Sequence, residues 1–131
     1  METKISATII GSGNVGSQLG KLFYKKGISI DAIYNKHKDS GISLAKSVSS
    51  TYISDKNKIP NDSTFYLVSL KDDYYLEVLK GMDLAEKLII HTSGSLESKK
   101  INPFSKRWGC LYPMQTLIKN DNINWKEVAF Y

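Results

Sequence analysis

The sequence predicts an α/β fold in which a mostly parallel, doubly wound sheet carries helices on both faces. Segments with the β-branched, apolar character of buried strands alternate along the chain with segments of helical periodicity, an order typical of parallel strands joined by crossover helices. A glycine-rich turn, residues 11–16, lies between the first strand and the first helix. With 131 residues, 41% of them hydrophobic, the chain has the size of one compact domain with its own core.

The first half of the chain supplies the clearest elements. Residues 5–10 predict a buried strand because they are rich in β-branched side chains. Residues 14–26 place apolar side chains at helical spacing, and we expect that helix to end at Gly27. The elements expected next are a strand at 28–34, a helix that Asp39 or Ser40 opens and that runs to 48, and a short strand at 51–53.

The second half continues the alternation of strand and helix. A polar loop at 55–62 precedes the strongest predicted strand, residues 64–70. The remaining expected elements are a helix at 73–81, a strand at 87–91, a strand near 110–112 and a strand at 127–131. Because this last apolar segment runs to the final residue, we expect the natural chain to continue beyond it.

The run Gly11-Ser12-Gly13-Asn14-Val15-Gly16 has the GxGxxG spacing of a dinucleotide-binding turn. Its place between a strand and an amphipathic helix is the context that such a site requires. We expect the first glycine to permit the tight turn, the second to let a pyrophosphate approach the backbone, and the third to let the helix pack closely on the strand. The helix start would then offer N–H groups and partial positive charge to the phosphates. The cofactor-binding residues predicted here are Gly11, Ser12, Gly13, Asn14, Val15 and Gly16.

The residues after the second predicted strand indicate which dinucleotide binds. An NAD site normally holds Asp or Glu about 20 residues after the glycines, where the carboxylate binds the ribose 2′-hydroxyl. Here that place is occupied by Asn35-Lys36-His37-Lys38. We expect Lys36 and Lys38 to neutralise a 2′-phosphate and Asn35 to donate a hydrogen bond to it, which favours NADP over NAD. The alternative is that these lysines form an ordinary solvated loop.

Two polar clusters follow the fourth and fifth predicted strands, where ligands of open α/β sheets bind. We expect both clusters to face the nicotinamide side of the cofactor. Ser69 and Leu70, predicted to bind the cofactor, begin the first cluster, and Thr92 and Ser93, expected to bind the nicotinamide ribose, lie in the second. His91 is the candidate proton donor because its ordinary pKa lies near ~6.5. The alternative is a structural histidine that fixes the turn after it.

Together these motifs resemble those of the DUF2520-containing NADP-dependent oxidoreductases, distant relatives of pyrroline-5-carboxylate reductase and 6-phosphogluconate dehydrogenase. The resemblance covers nearly the whole chain, and its specific part is the His-Thr-Ser-Gly run at 91–94 followed by Pro-Met-Gln-Thr at 113–116. Members usually carry His before that proline, whereas this chain has Tyr112, whose hydroxyl can still form a hydrogen bond.

The resemblance also implies a domain organisation. Residues 1–131 would form the NADP-binding Rossmann-like domain, and a helical second domain, used for homodimerisation and for closing the substrate cleft, would be absent from this chain. We therefore expect the fragment alone to be inactive as an enzyme.

Composition and charge limit the partners, the cell compartment and the metal sites that we expect for this protein. The net charge of +5 lies entirely in the first sixty residues, which suits a phosphate-bearing partner. Nucleic-acid binding is not expected, because the lysines are scattered and arginine, which base readers use, is nearly absent. No apolar run approaches the ~20 residues of a membrane span, and the start lacks a secretory signal, so we expect a cytoplasmic protein without a membrane partner. The single cysteine, Cys110, is expected in the core, and no metal site is expected.

The function predicted from these observations is hydride transfer between NADP(H) and a small-molecule substrate. The alternative left open is a non-catalytic dinucleotide-binding module that senses redox state or serves assembly. Both use the same glycine turn, so the sequence alone does not separate them.

Overall fold

The described chain folds around one all-parallel sheet. The computed structural model describes residues 4–70, 78–80, 87–92 and 107–111. Six strands within these ranges pair in the order β3-β2-β1-β4-β5-β6. They are β1 (Ser6–Ile10), β2 (Ser29–Tyr34), β3 (Tyr52–Ile53), β4 (Phe65–Val68), β5 (Leu88–His91) and β6 (Arg107–Cys110). The strand order reverses between β1 and β4, and at such a switch point open α/β sheets bind ligands in a crevice at the carboxyl ends of the strands.

Two helices, α1 (Asn14–Lys25) and α2 (Lys38–Ser47), cover one face of this sheet. Leu19 of α1 and Leu44 of α2 are buried in one cluster with Ile9 of β1, each contributing about 1.5–3 kcal/mol. Gly20 allows the close approach of α1, because a Cβ there would lie 2.6 Å from the Cδ1 of Ile9. This packing fixes the start of α1 at the carboxyl edge of β1.

The opposite face of the sheet has its own apolar cluster. Ile10, Tyr66, Val68 and Ile89 project from the three central strands, and Leu79 packs over them from a helical segment. The Tyr66 hydroxyl donates to the carbonyl of Pro60, and burial raises the pKa of this tyrosine. Helices therefore lie on both faces, and the predicted Rossmann-like α/β fold is confirmed.

A β-bulge interrupts the pairing of β1 with β2. Ala7 pairs with Ile30 and Thr8 pairs with Ala32, which leaves Asp31 as the extra residue. The bulge explains why Ile30 and Ile33, three residues apart, share one apolar cluster, a spacing that strict strand alternation forbids.

Most of the predicted elements are present, with boundaries displaced by one or two residues. The last strand described, β6, begins three residues before the expected 110–112, because its Trp108 pairs with Ile89 and packs on the second cluster. The polar loop at 55–62 contains a short 3-10 helix, Lys56–Lys58. Of the predicted helix at 73–81 only 78–80 are described, and the predicted strand at 127–131 lies outside the described residues.

Among the helices that the structure describes, none combines the length and apolar character that a membrane crossing needs.

Candidate cofactor-binding site

The carboxyl ends of five strands lie level across the sheet. Tyr34, Ile10, Val68, His91 and Cys110 are paired in that spatial order. The residue that follows each of four of these strand ends donates its amide to the neighbouring strand: Gly11 to Tyr34, Ser69 to Ile10, Thr92 to Val68 and Leu111 to His91, over 2.7 to 3.3 Å. The predicted glycine turn and both predicted polar clusters therefore meet at one edge.

Two glycines of the turn are required by close packing. Gly11 has φ +99°, and a Cβ there would lie 2.1 Å from the carbonyl oxygen of Ser69. A Cβ on Gly16 would lie 2.5 Å from the carbonyl oxygen of Gly11 and 3.0 Å from the Cβ of Ser69. The turn, the start of α1 and the end of β4 are consequently in backbone contact.

Gly13, by contrast, is not required by packing within the protein. Nothing lies within 4 Å of a Cβ built on it, and its φ of −71° is ordinary for any residue. It is the N-cap of α1, it has no side chain to cap the helix, and the first turn contains no acidic residue. Gly13 and Asn14 are exposed, while Val15 packs on the first core cluster. The space beside Gly13 therefore fits an anion held by the helix start.

Ser12 connects the glycine turn to the loop after β2. Its amide donates to the Oδ1 of Asn35 at 3.2 Å, and its hydroxyl donates to the Oγ of Ser40 at 3.2 Å. The Nδ2 of Asn35 donates to the carbonyl of His37 at 2.8 Å and to the Oγ of Ser40 at 2.9 Å. Asn35 is buried, and its hydrogen bonds join the starts of α1 and α2. Because both N–H groups of its side chain donate within the protein, the expected bond from Asn35 to a 2′-phosphate is not formed in this arrangement.

Tyr52 was not among the residues singled out from the sequence. Its hydroxyl donates to the carbonyl of Asn35 at 2.8 Å, and its ring lies 2.4 Å from a Cβ built on Gly41 of α2. The sequence contains a tyrosine in a short strand and a glycine inside a helix. These features are consistent with the contact between Tyr52 and Gly41, but they do not predict it.

Lys36 and Lys38 lie on the exposed side of the same loop. Lys38 is the first residue of α2, where a cation stands beside the positive end of the helix dipole. His37, the N-cap, makes no side-chain capping bond, and Asp39 lies in the first turn. Asp39 is thus not the cap that the sequence suggests. The two lysines thus place positive charge next to the positive end of a helix dipole. A bound anion would offset the resulting repulsion.

Ser69 and Thr92 form a hydroxyl pair on the far side of the crevice. The Oγ1 of Thr92 donates to the Oγ of Ser69 at 3.0 Å, and the Cβ of Ser69 is next to Gly16. Leu70 lies near Gly11 and packs on the second apolar cluster. Ser93 lies outside the described residues, as do Asp72, Asp73 and Tyr112.

His91 and Cys110 end neighbouring strands in direct register. The side chain of His91 is 1% exposed. This burial favours the structural interpretation, because a proton donor must reach its substrate. Cys110, which the sequence places in the core, is exposed at the end of β6, the outermost strand described on this side of the sheet. Partial desolvation of its thiol raises its pKa. The part of the chain that the structure describes holds no group of three or more His, Cys, Asp or Glu suited to a metal ion.

Comparison with known families and structures shows which class of proteins this chain is similar to. The family model described as NADP oxidoreductase, coenzyme F420-dependent, matches residues 6–94. A search of the curated proteins finds no match.

Solved structures share the fold over most of the chain. A Bacteroides fragilis protein designated an NADP oxidoreductase is 30% identical with a TM-score of 0.87, covering 97% of this chain and 50% of its own. An imine reductase from Myxococcus stipitatus in complex with NADP+ is 20% identical with a TM-score of 0.71, covering 85% of this chain and 42% of its own. Prephenate dehydrogenase from A. aeolicus, with NAD+, is 15% identical with a TM-score of 0.73, covering 94% of this chain and 47% of its own.

The chain thus spans half or less of the length of these relatives. The family match covers more than half of the chain and includes the glycine turn, the loop after β2 and the ends of β4 and β5. The predicted NADP cofactor agrees with the description of that family, which also names coenzyme F420, a coenzyme that the sequence motifs do not indicate. The chain belongs to the NADP oxidoreductase, coenzyme F420-dependent family, and it is an NADP-binding oxidoreductase domain.

Proposed function

We propose that the full-length protein transfers a hydride between NADP(H) and a small metabolite, with this domain holding the cofactor across the crevice between β1 and β4. One observation carries the proposal: the open helix start at Gly13 and the cationic loop at Lys36 and Lys38 are joined by the hydrogen bonds of Asn35. A diphosphate and a ribose 2′-phosphate of one molecule need two such anion sites.

The residues present fit the cofactor part by part. The amides at the start of α1 would bind the diphosphate, because Gly13 leaves the backbone open and no acidic residue opposes it. Lys36 and Lys38 would bind the 2′-phosphate. Ser69 would donate to the nicotinamide ribose, and Thr92, whose proton is donated to Ser69, would accept from it. Ser93 is proposed to assist them.

The cofactor, when bound, supplies the hydride chemistry, and the protein supplies position and charge. This chain's residues would hold the dinucleotide at the strand ends, with Thr92 and Ser69 on its nicotinamide side. Since His91 is buried, we propose that it supports the strand end next to the site. Proton donation would then come from another group or from ordered water, with His91 as the alternative donor to be tested.

The remaining features of the whole protein are also proposals. Because the relatives are about twice as long as this chain, we propose a helical second domain that completes the substrate cleft and forms a homodimer. We further propose that the protein belongs to the DUF2520-containing group and works in the cytoplasm. The fragment alone is then expected to bind cofactor without turnover.

Titration of the 131-residue chain with NADPH and with NADH, followed by nucleotide fluorescence, tests the cofactor part of the proposal. We expect NADPH to bind in the micromolar range and more tightly than NADH. Equal or tighter binding of NADH would contradict it. In the full-length protein, absence of NADPH oxidation with carbonyl or imine substrates and with coenzyme F420 would favour the non-catalytic binding module.

A further inference from the structure

The hydrogen bonds of Asn35 determine how its amide is oriented. A backbone N–H, that of Ser12, must meet the amide oxygen, and a backbone carbonyl, that of His37, must meet the amide nitrogen. The second N–H of this nitrogen donates to Ser40. Both donors of Asn35 are therefore used inside the protein, and neither is directed to a ligand.

Tyr52 restrains the same loop from the other side. Its hydroxyl holds the carbonyl of Asn35, which belongs to the peptide group that joins Asn35 to Lys36. The tyrosine is half-buried and its ring lies against Gly41, so that ring and hydroxyl are both engaged within the protein. The backbone at the first of the two lysines is thereby fixed relative to β3 and α2.

We infer that Tyr52 and Asn35 are positioning residues for cofactor selectivity: they hold the loop that carries Lys36 and Lys38 at a set distance from the glycine turn, without touching the 2′-phosphate themselves. The inference rests on the proposed function, since it assumes that the two lysines bind that phosphate. Its physical basis is that two long, exposed lysine side chains select for NADPH only if their backbone is held in place before binding.

This inference predicts that removing a hydroxyl that contacts no ligand changes selectivity. Tyr52→Phe keeps the ring and removes only the bond to the Asn35 carbonyl. We expect the ratio of NADH to NADPH dissociation constants to fall about threefold to tenfold, the effect of one hydrogen bond. The NADH dissociation constant should stay within about twofold, because the glycine turn keeps its own contacts.

The chain offers a matched control. Tyr24→Phe removes a hydroxyl that is hydrogen-bonded to Ser49 at 3.0 Å, at the opposite end of α1 from the glycine turn. A second variant, Gly41→Ala, keeps the Tyr52 hydroxyl but displaces its ring. It should lower the ratio as Tyr52→Phe does, and Tyr24→Phe should leave it unchanged.

The experiment is a titration of wild type and the three variants with NADPH and with NADH, with thermal unfolding of each. A selectivity loss in Tyr52→Phe and Gly41→Ala, absent in Tyr24→Phe, supports the inference. If wild type prefers NADPH and Tyr52→Phe keeps that preference, or loses affinity for both nucleotides equally, the inference is overturned while the proposed function stands. A wild type without NADPH preference overturns both.

Discussion

Substituting the glycines of the turn one at a time separates ligand binding from folding. Gly13→Ala adds a methyl group where no protein atom lies within 4 Å and where φ is −71°. The folded state has no clash to accommodate. Alanine is a poorer N-cap than glycine, which costs less than about 1 kcal/mol, and for a domain of this size lowers the melting temperature by roughly 3–5 °C at most.

The same methyl group stands in the space that we assign to the cofactor diphosphate. Displacing a phosphate oxygen from one backbone N–H removes a charge-assisted hydrogen bond of about 1.5–3 kcal/mol. NADPH affinity should therefore fall about tenfold to hundredfold. NADH affinity should fall by a similar factor, because both nucleotides share the diphosphate.

Gly16→Ala is the contrasting variant. Its Cβ would lie 2.5 Å from the Gly11 carbonyl oxygen, a contact with backbone that cannot rotate away. Overpacking of this kind costs about 1–3 kcal/mol, so stability should fall together with binding. Circular dichroism melting and fluorescence titration of both variants check the pair. A Gly13→Ala protein that binds NADPH as wild type does, or that fails to fold, would refute the assignment of the turn.

Three further predictions concern the loop after β2. Lys36→Ala and Lys38→Ala should each weaken NADPH binding about threefold to tenfold and leave NADH binding unchanged. Each should also reduce the salt dependence of NADPH binding. Lys46→Ala, in the last turn of α2, is the control and should have no effect. Asn35→Asp, the change that ought to create an NAD site, should fail to do so, because the carboxylate cannot donate to the His37 carbonyl. We expect it to lower stability by about 1–3 kcal/mol in thermal unfolding, and a stable variant that prefers NADH would contradict the orientation of the side chain. The Tyr52→Phe titration described above tests the positioning of the loop.

The glycine turn could be predicted from the sequence because its constraints are local. A positive φ, a close backbone contact and an open approach for a phosphate each favour glycine, and they fall at fixed spacing between a strand and a helix. In the structure Gly11 has both the positive φ and a backbone contact, Gly16 has a backbone contact, and Gly13 leaves the approach open.

The side-chain orientation of Asn35 could not be predicted in the same way. Its acceptor role is toward Ser12, 23 residues earlier in the chain, and its position is held by Tyr52, 17 residues later. The sequence shows that a carboxylate is missing at the end of β2, but only the fold shows that the amide bonds internally.

The surroundings of His91 in β5 and the position of β6 could not be predicted from the sequence for a related reason. His91 looks like a proton donor from its place at the end of an apolar strand, yet its side chain lies on the same buried face as Ile89, two residues before it. The composition of β6, Arg-Trp-Gly-Cys, lacks β-branched residues, and its place comes from pairing with β5. Tertiary pairing decides both positions.

A crystal structure of this chain with NADPH bound tests the central claim most directly. We predict the diphosphate against the amides at the start of α1 beside Gly13, and the 2′-phosphate within hydrogen-bond distance of Lys36 and Lys38, with the Asn35 amide still bonded to Ser12 and His37. A nucleotide bound elsewhere, or one whose 2′-phosphate turns away from both lysines, would contradict the account.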